Sequence, residues 1–117
     1  APPESAARGK ASPKSDVYSF GMIVYALLLG EANLSTGDIF FNSKGELQLP
    51  AFFFGDDVEA DDVFIDNFQD TPLSPGAEEY RIIIEICLHA CQLDPKRRPS
   101  VGAICKALEQ KRSITSL

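Results

Sequence analysis

Three kinds of residue in this 117-residue chain could do chemistry by type and spacing: three cysteines, one histidine and a run of aspartates. Cys87 and Cys91 stand four apart, so on a helix they share a face, while His89 between them lies on another. Zinc needs four converging ligands, and an odd cysteine count without framework spacing does not suggest a secreted disulfide scaffold. Cys87, Cys91 and Cys105 read as buried, inert thiols, with metal or redox use the alternative. The aspartates crowd residues 51–76, where Asp56, Asp57, Glu59, Asp61, Asp62, Asp66 and Asp70 follow Phe52, Phe53 and Phe54, and no Lys or Arg appears between Lys44 and Arg81. A calcium loop starting at Asp57 would place Glu59 and Asp61 correctly, but Asp62 stands where the turn needs Gly and Phe68 where a bidentate Glu belongs. The EF-hand reading fails. What remains is a solvated acidic loop whose Val63, Phe64, Ile65 and Phe68 tack a short helical turn onto the body. A docking surface is the alternative, since exposed aromatics beside charge can mark an interface. No Gly-rich phosphate loop exists in the sequence, and His89 sits in an apolar helix with no partnered nucleophile.

The elements that must position these residues follow from periodicity. Ser15 to Gly30 reads as a helix of about four turns, opened by Ser15-Asp16 and closed by Gly30. Val17, Phe20, Ile23, Val24, Leu27 and Leu28 form one face, with Met22, Ala26 and Leu29 on the others. A helix apolar all round is buried or membrane-inserted. The run Met22–Leu29 falls far short of the roughly 20 residues that span a bilayer. The expectation is a buried central helix surrounded by other elements. Ile39-Phe40-Phe41 and Glu46–Leu49 flank Asn42-Ser43-Lys44-Gly45 and could pair as a hairpin, though both runs are short. Ser74-Pro75 opens a second helix, with Glu78 and Glu79 in its first turn and Tyr80, Ile83, Ile84, Cys87, Leu88 and Cys91 at helical spacing. It stops at Leu93-Asp94-Pro95. Ser100 caps a third helix with Val101, Ile104, Cys105 and Leu108 inward, and residues 113–117 read as a frayed tail.

Apolar content of 44% is that of a globular protein, and a net charge of −6 argues against a general nucleic-acid or anionic-membrane binder. The start, Ala1-Pro2-Pro3-Glu4, has no initiator Met and no signal segment, which suggests a piece of a longer polypeptide.

Three features stand in order: Pro-Pro-Glu near the start, Ser-Asp-Val-Tyr-Ser-Phe-Gly at the central helix, and Asp-Pro-x-x-Arg-Pro-Ser between the last two helices. Together they resemble the C-terminal half of the large lobe of a eukaryotic protein kinase, from the Ala-Pro-Glu motif to the last helix. The resemblance is strong over residues 1–30 and 80–109 and poor over 31–76, and its wording is most similar to the tyrosine-kinase-like group of serine/threonine kinases. It implies a mainly α fold: a partial large lobe over residues 1–112, with three main helices and a long irregular acidic connection. It also implies structural roles. Glu4 matches the motif glutamate that pairs in the family with an arginine, here Arg98. Asp16 matches the aspartate that holds the catalytic-loop backbone, and Ile23 and Leu27 match apolar positions that support the column of side chains below the adenine pocket. The plain alternatives are solvated charges, a helix cap and core packing. Departures exist: Pro2 replaces the motif alanine, Ala26 stands where many relatives carry glutamate, and the loop after Gly30 lacks the usual Pro-Phe.

Phosphoryl transfer needs a phosphate cover, a strand lysine, a catalytic-loop aspartate and metal-binding residues. In the family all of these lie upstream of the motif glutamate, so the resemblance implies no catalytic, cofactor-binding or metal-binding residue here. ATP and magnesium are expected only for an intact parent kinase, in the cytoplasm or on the cytoplasmic side of a membrane receptor. Expected partners are the rest of the kinase domain and a protein substrate or regulator, with no nucleic acid and no membrane insertion. The competing expectation is a pseudokinase or truncated remnant serving as a non-catalytic interaction module.

Overall fold

A computed structural model describes residues 13–30 and 46–116. Its regular structure is almost wholly helical, in keeping with the mainly α expectation. Helix α1 spans Pro13–Leu29, α2 Pro75–Glu78, α3 Arg81–Ala90 and α4 Val101–Gln110, with short 3₁₀ turns between and after them. Among the described residues no helix is long and apolar enough to cross a membrane. Glu4 and the first half of the suggested hairpin lie outside the described residues.

Helix α1 ends as its sequence requires. Gly30 takes φ +92°, and its amide reaches back to the carbonyls of Ala26 and Leu27 at 3.1 and 3.3 Å. One side of α1 crosses α3 so closely that a Cβ added at Gly21 would come within 2.8 Å of both Ala90 Cβ and Cys91 Sγ. The residues flanking Gly21 on that side, Val17, Tyr18, Tyr25 and Leu29, are buried. Tyr25 is fully enclosed and donates its hydroxyl to the Gln48 carbonyl at 2.6 Å. Burial holds its phenol above the usual range, with the neighbouring Cys87 and Cys91 thiols adding to the effect.

The acidic connection is irregular but anchored. It leaves the body at Phe54, which forms an isolated antiparallel bridge with Leu73, and the Ser74 amide returns to the Phe53 carbonyl at 2.7 Å. Between these points Phe68 is buried and Val63 and Ile65 are packed against the core, whereas Phe64 remains 41% exposed. Arg81, the first cation after Lys44, closes the segment. Its guanidinium donates to the carbonyls of Phe68 and Thr71 at 3.2 and 2.8 Å, lies 5.4 Å from the Phe68 ring, and pairs with Glu78 at 2.7 Å.

Two helical expectations need correction. The second helix is not continuous from Pro75: it breaks at Glu79–Tyr80, where Glu78 turns its carboxylate back to Arg81 and to the Leu73 amide. Tyr80 is consequently half-exposed rather than core. On α4, Ser100 caps as expected, accepting the Ala103 amide at 3.1 Å. The helix contacts the body through Ile104 and Ala107, so Val101, Cys105 and Leu108 fall on its flanks and are exposed. Ile104 and Ala107 join Val17, Ile86 and Ala90 in a second apolar cluster beside the main core.

Candidate functional site

Arg98 is the most deeply buried cation described, with 2% of its surface exposed. Its turn is built by local chemistry. Asp94 accepts the Lys96 amide at 3.0 Å, Pro95 supplies the fixed φ of the first 3₁₀ position, and Arg98 leaves the turn extended. The guanidinium then serves three carbonyls: Nε donates to Gln92 at 2.8 Å, Nη1 to Lys14 at 3.0 Å and Nη2 to Leu93 at 3.3 Å. Its plane also lies 4.7 Å from the centroid of the Tyr18 ring. Lys14 answers from the first turn of α1, donating Nζ to the Arg98 carbonyl at 2.6 Å. The two residues therefore brace one another across 84 positions of sequence, and the brace fixes where α1 begins.

From that anchor α1 presents a stripe that nothing described covers. Phe20, Ile23 and Leu27 are 42%, 62% and 67% exposed on a helix whose opposite side, through Val17, Tyr18, Tyr25 and Leu29, is buried. At about 100° per residue, Asp16, Phe20, Ile23 and Leu27 fall within a sector of roughly 60°. The expectation that α1 is surrounded on every side is thus overturned. Periodicity reports that a face is apolar, not which chain covers it. The stripe runs on into an apolar groove of about 580 Å³, lined by Leu27, Leu28, Phe52, Ala77, Tyr80 and Ile83 among others. Of the residues singled out from the sequence, Asp16, Ile23 and Leu27 share this open stripe, and Arg98 stands apart at the base of α1. Glu4 lies outside the described residues.

The cysteines divide. Cys87 and Cys91 are buried, and burial pushes both thiols up to about 12, with the neighbouring Cys91 adding to the effect at Cys87. Cys105 is exposed, against the expectation that all three are buried. Among the described residues no group of three or more His, Cys, Asp or Glu converges in a way that could hold a metal.

Comparison with known proteins decides the family. Over 114 residues, 97% of its length, the chain is 32% identical to the cysteine-rich receptor-like protein kinase 37 of Arabidopsis thaliana. It is 30% identical, over the same share, to the leucine-rich repeat receptor-like serine/threonine-protein kinase SKM1 of that plant. The chain belongs to the protein kinase family. A shorter stretch of 49 residues, 41% of the chain, is 49% identical to the LysM domain receptor-like kinase 3 of Medicago truncatula. The chain spans only 12% of the length of SKM1 and 17% of kinase 37, so it corresponds to part of a kinase domain. No protein-family model and no solved structure matches it.

Sequence reasoning missed two residues of this kinase segment. Lys14 gave no signal, because a single lysine before a helix reads as solvated. Tyr25 was hidden in an apolar run, and only the carbonyl of Gln48, 23 residues away, explains its hydroxyl.

Proposed function

We propose that this chain is the structural base of the large lobe of a protein kinase, and that its open α1 stripe seats the catalytic-loop part of that domain. The observation that carries this reading is the exposure of Phe20, Ile23 and Leu27 in line with Asp16 on a helix whose opposite side is buried. Three large apolar side chains left in water on a helix of this kind call for a covering partner. Asp16, at the N-terminal end of the same stripe, offers a carboxylate to backbone amides of whatever is seated there. In this reading Arg98, at the foot of α1, is the partner of Glu4, a pairing that would tie the end of the activation segment to the helical base.

In this reading the parent transfers the γ-phosphoryl group of ATP to a protein hydroxyl, with magnesium held by residues upstream. Nucleotide as well as metal is in this reading assigned to upstream residues rather than to this chain. The chain contributes rigidity, and its setting is the cytoplasm or the cytoplasmic side of a receptor. The stripe would equally serve a pseudokinase, whose seated partner has lost the catalytic groups.

The test uses the longest natural polypeptide that contains this chain. Replacing Ile23 and Leu27 by Asp should abolish phosphoryl transfer and lower its thermal midpoint. The 117-residue chain alone, given ATP, magnesium and a generic substrate, should transfer none. Activity of the isolated chain, or an unperturbed double variant in the longer one, would overturn the reading. An inactive parent whose melting still depends on Ile23 and Leu27 would select the pseudokinase.

A further inference from the structure

The C-terminal end of the described chain is held by a buried carboxylate. Glu85, on α3, is 3% exposed. Its Oε1 accepts the Ser113 hydroxyl at 2.5 Å and the Ile114 amide at 3.0 Å, and its Oε2 accepts from Gln69 Nε2. Gln69 also reaches Ser113 Oγ, and Thr115 Oγ1 at 3.3 Å. The acidic connection, α3 and the turn after α4 are therefore joined at one point, and the hydroxyl of Ser113 lies at its centre. Among the described residues the donors that contact this carboxylate are neutral. A second negative charge introduced here would meet the buried Glu85 carboxylate at hydrogen-bond distance, at a half-buried position where repulsion is only partly screened by water.

Beside this knot stands an alternative seat for such a charge. Helix α4 ends at Lys111, in the left-handed conformation at φ 52°, and Lys111 and Arg112 are both exposed immediately before Ser113. Arg112 lays its guanidinium along the tail, donating Nη2 to the Ser116 carbonyl at 2.9 Å. A phosphate expelled from Glu85 would find two cations within two residues, one of them a guanidinium suited to bidentate binding. The same Lys-Arg pair is the kind of feature that a kinase with an acidic peptide groove reads before a serine.

We propose that Ser113 is a phosphorylation site whose modification releases the tail from Glu85. The Ser113 oxygen attacks the γ-phosphorus of a nucleoside triphosphate bound to a separate basophilic kinase. The new O–P bond forms as the β–γ anhydride bond breaks, the nucleoside diphosphate leaves with the bonding pair, and the hydroxyl proton passes to that kinase's base. The product carries about −1.5 to −2 charge at pH 7 and can no longer donate to Glu85. It turns outward to Lys111 and Arg112, and Ile114 follows it off the carboxylate. This inference does not depend on what covers the α1 stripe.

The test treats the wild-type chain, in its longest natural polypeptide, with a purified basophilic serine/threonine kinase, ATP and magnesium. Tandem mass spectrometry should place the phosphate on Ser113, and S113A should remove that label. Hydrogen exchange at the Ile114 amide should then rise about tenfold or more, the equivalent of one lost charge-assisted hydrogen bond. In E85Q, where no carboxylate repels the phosphate, phosphorylation should change Ile114 exchange much less. A phosphate found only on Thr115 or Ser116 would overturn the proposal. So would a Ser113 phosphate that leaves Ile114 exchange unchanged, or one whose effect is as large in E85Q.

Discussion

Arg98 shows why a guanidinium rather than a generic cation belongs in the Asp-Pro-x-x-Arg-Pro turn. Its fork serves carbonyls of Gln92, Leu93 and Lys14 in three directions while its face rests on Tyr18. Arg98→Ala strands those acceptors and opens a cavity beneath α1, and should cost roughly 3–5 kcal/mol. Arg98→Lys keeps the charge but reaches fewer acceptors, and should recover only part of that loss. Denaturant melts of the three proteins check the order, and equal midpoints would mean that the turn is held by its backbone. The cysteines offer a second check at this scale. With Cys87 and Cys91 buried and their thiols pushed up to about 12, only Cys105 should react with a thiol reagent at about pH 8 in the folded protein, and all three after denaturation. A folded protein that titrates two or three thiols would contradict the packing of α1 on α3. The Ser100 cap was legible because it acts within three residues. The Glu85 knot was not, because its partners lie 16 and 28 residues away and a glutamate in an apolar helix gives no local sign of them.

The helices themselves were legible from apolar periodicity, and their faces only partly. Periodicity named the stripe of α3 that meets α1, yet it could not see the break at Tyr80. That break depends on a three-way contact among Glu78, Arg81 and the Leu73 amide. The Arg81 side chain and the Leu73 amide hold the Glu78 carboxyl down to about 2, so this contact stabilises the fold fully above the ordinary carboxylate pKa. Its contribution should disappear as pH falls from about 4.5 toward about 2. Glu78→Gln should therefore separate from the wild type in acid titrations above that window and merge with it below. A constant separation would assign the effect to packing. The pair is partly exposed, with Glu78 open to solvent, so the difference will be small and will shrink in high salt. At the α1–α3 crossing, periodicity assigns Gly21 no role beyond its motif, whereas the structure assigns it a steric one. Gly21→Ala must displace Ala90 or Cys91 and should cost about 1–3 kcal/mol despite the better helix propensity of alanine. If Gly21→Ala were stabilising, the two helices would have to stand further apart than they do here.

For the molecule as a whole, the same side chains should act with opposite sign in two settings. In the isolated chain Phe20, Ile23 and Leu27 meet water along α1 and lead into the groove of about 580 Å³. Such a patch favours self-association and dye binding. Ile23→Asp with Leu27→Asp should leave the stability of the isolated chain nearly unchanged, since both side chains already lie outside its core. The same change should reduce its aggregation and its hydrophobic-dye fluorescence. In a longer kinase polypeptide these residues would be covered, and burying each is worth about 1.5–3 kcal/mol. There the double substitution should destabilise by several kcal/mol and remove activity. Light scattering and thermal melts on both proteins, with and without the substitutions, measure this reversal of sign. Loss of stability in both settings would place Ile23 and Leu27 inside the core of this chain. No effect in either would mean that the stripe is a solvent face and that the covering segment must be sought elsewhere on the molecule.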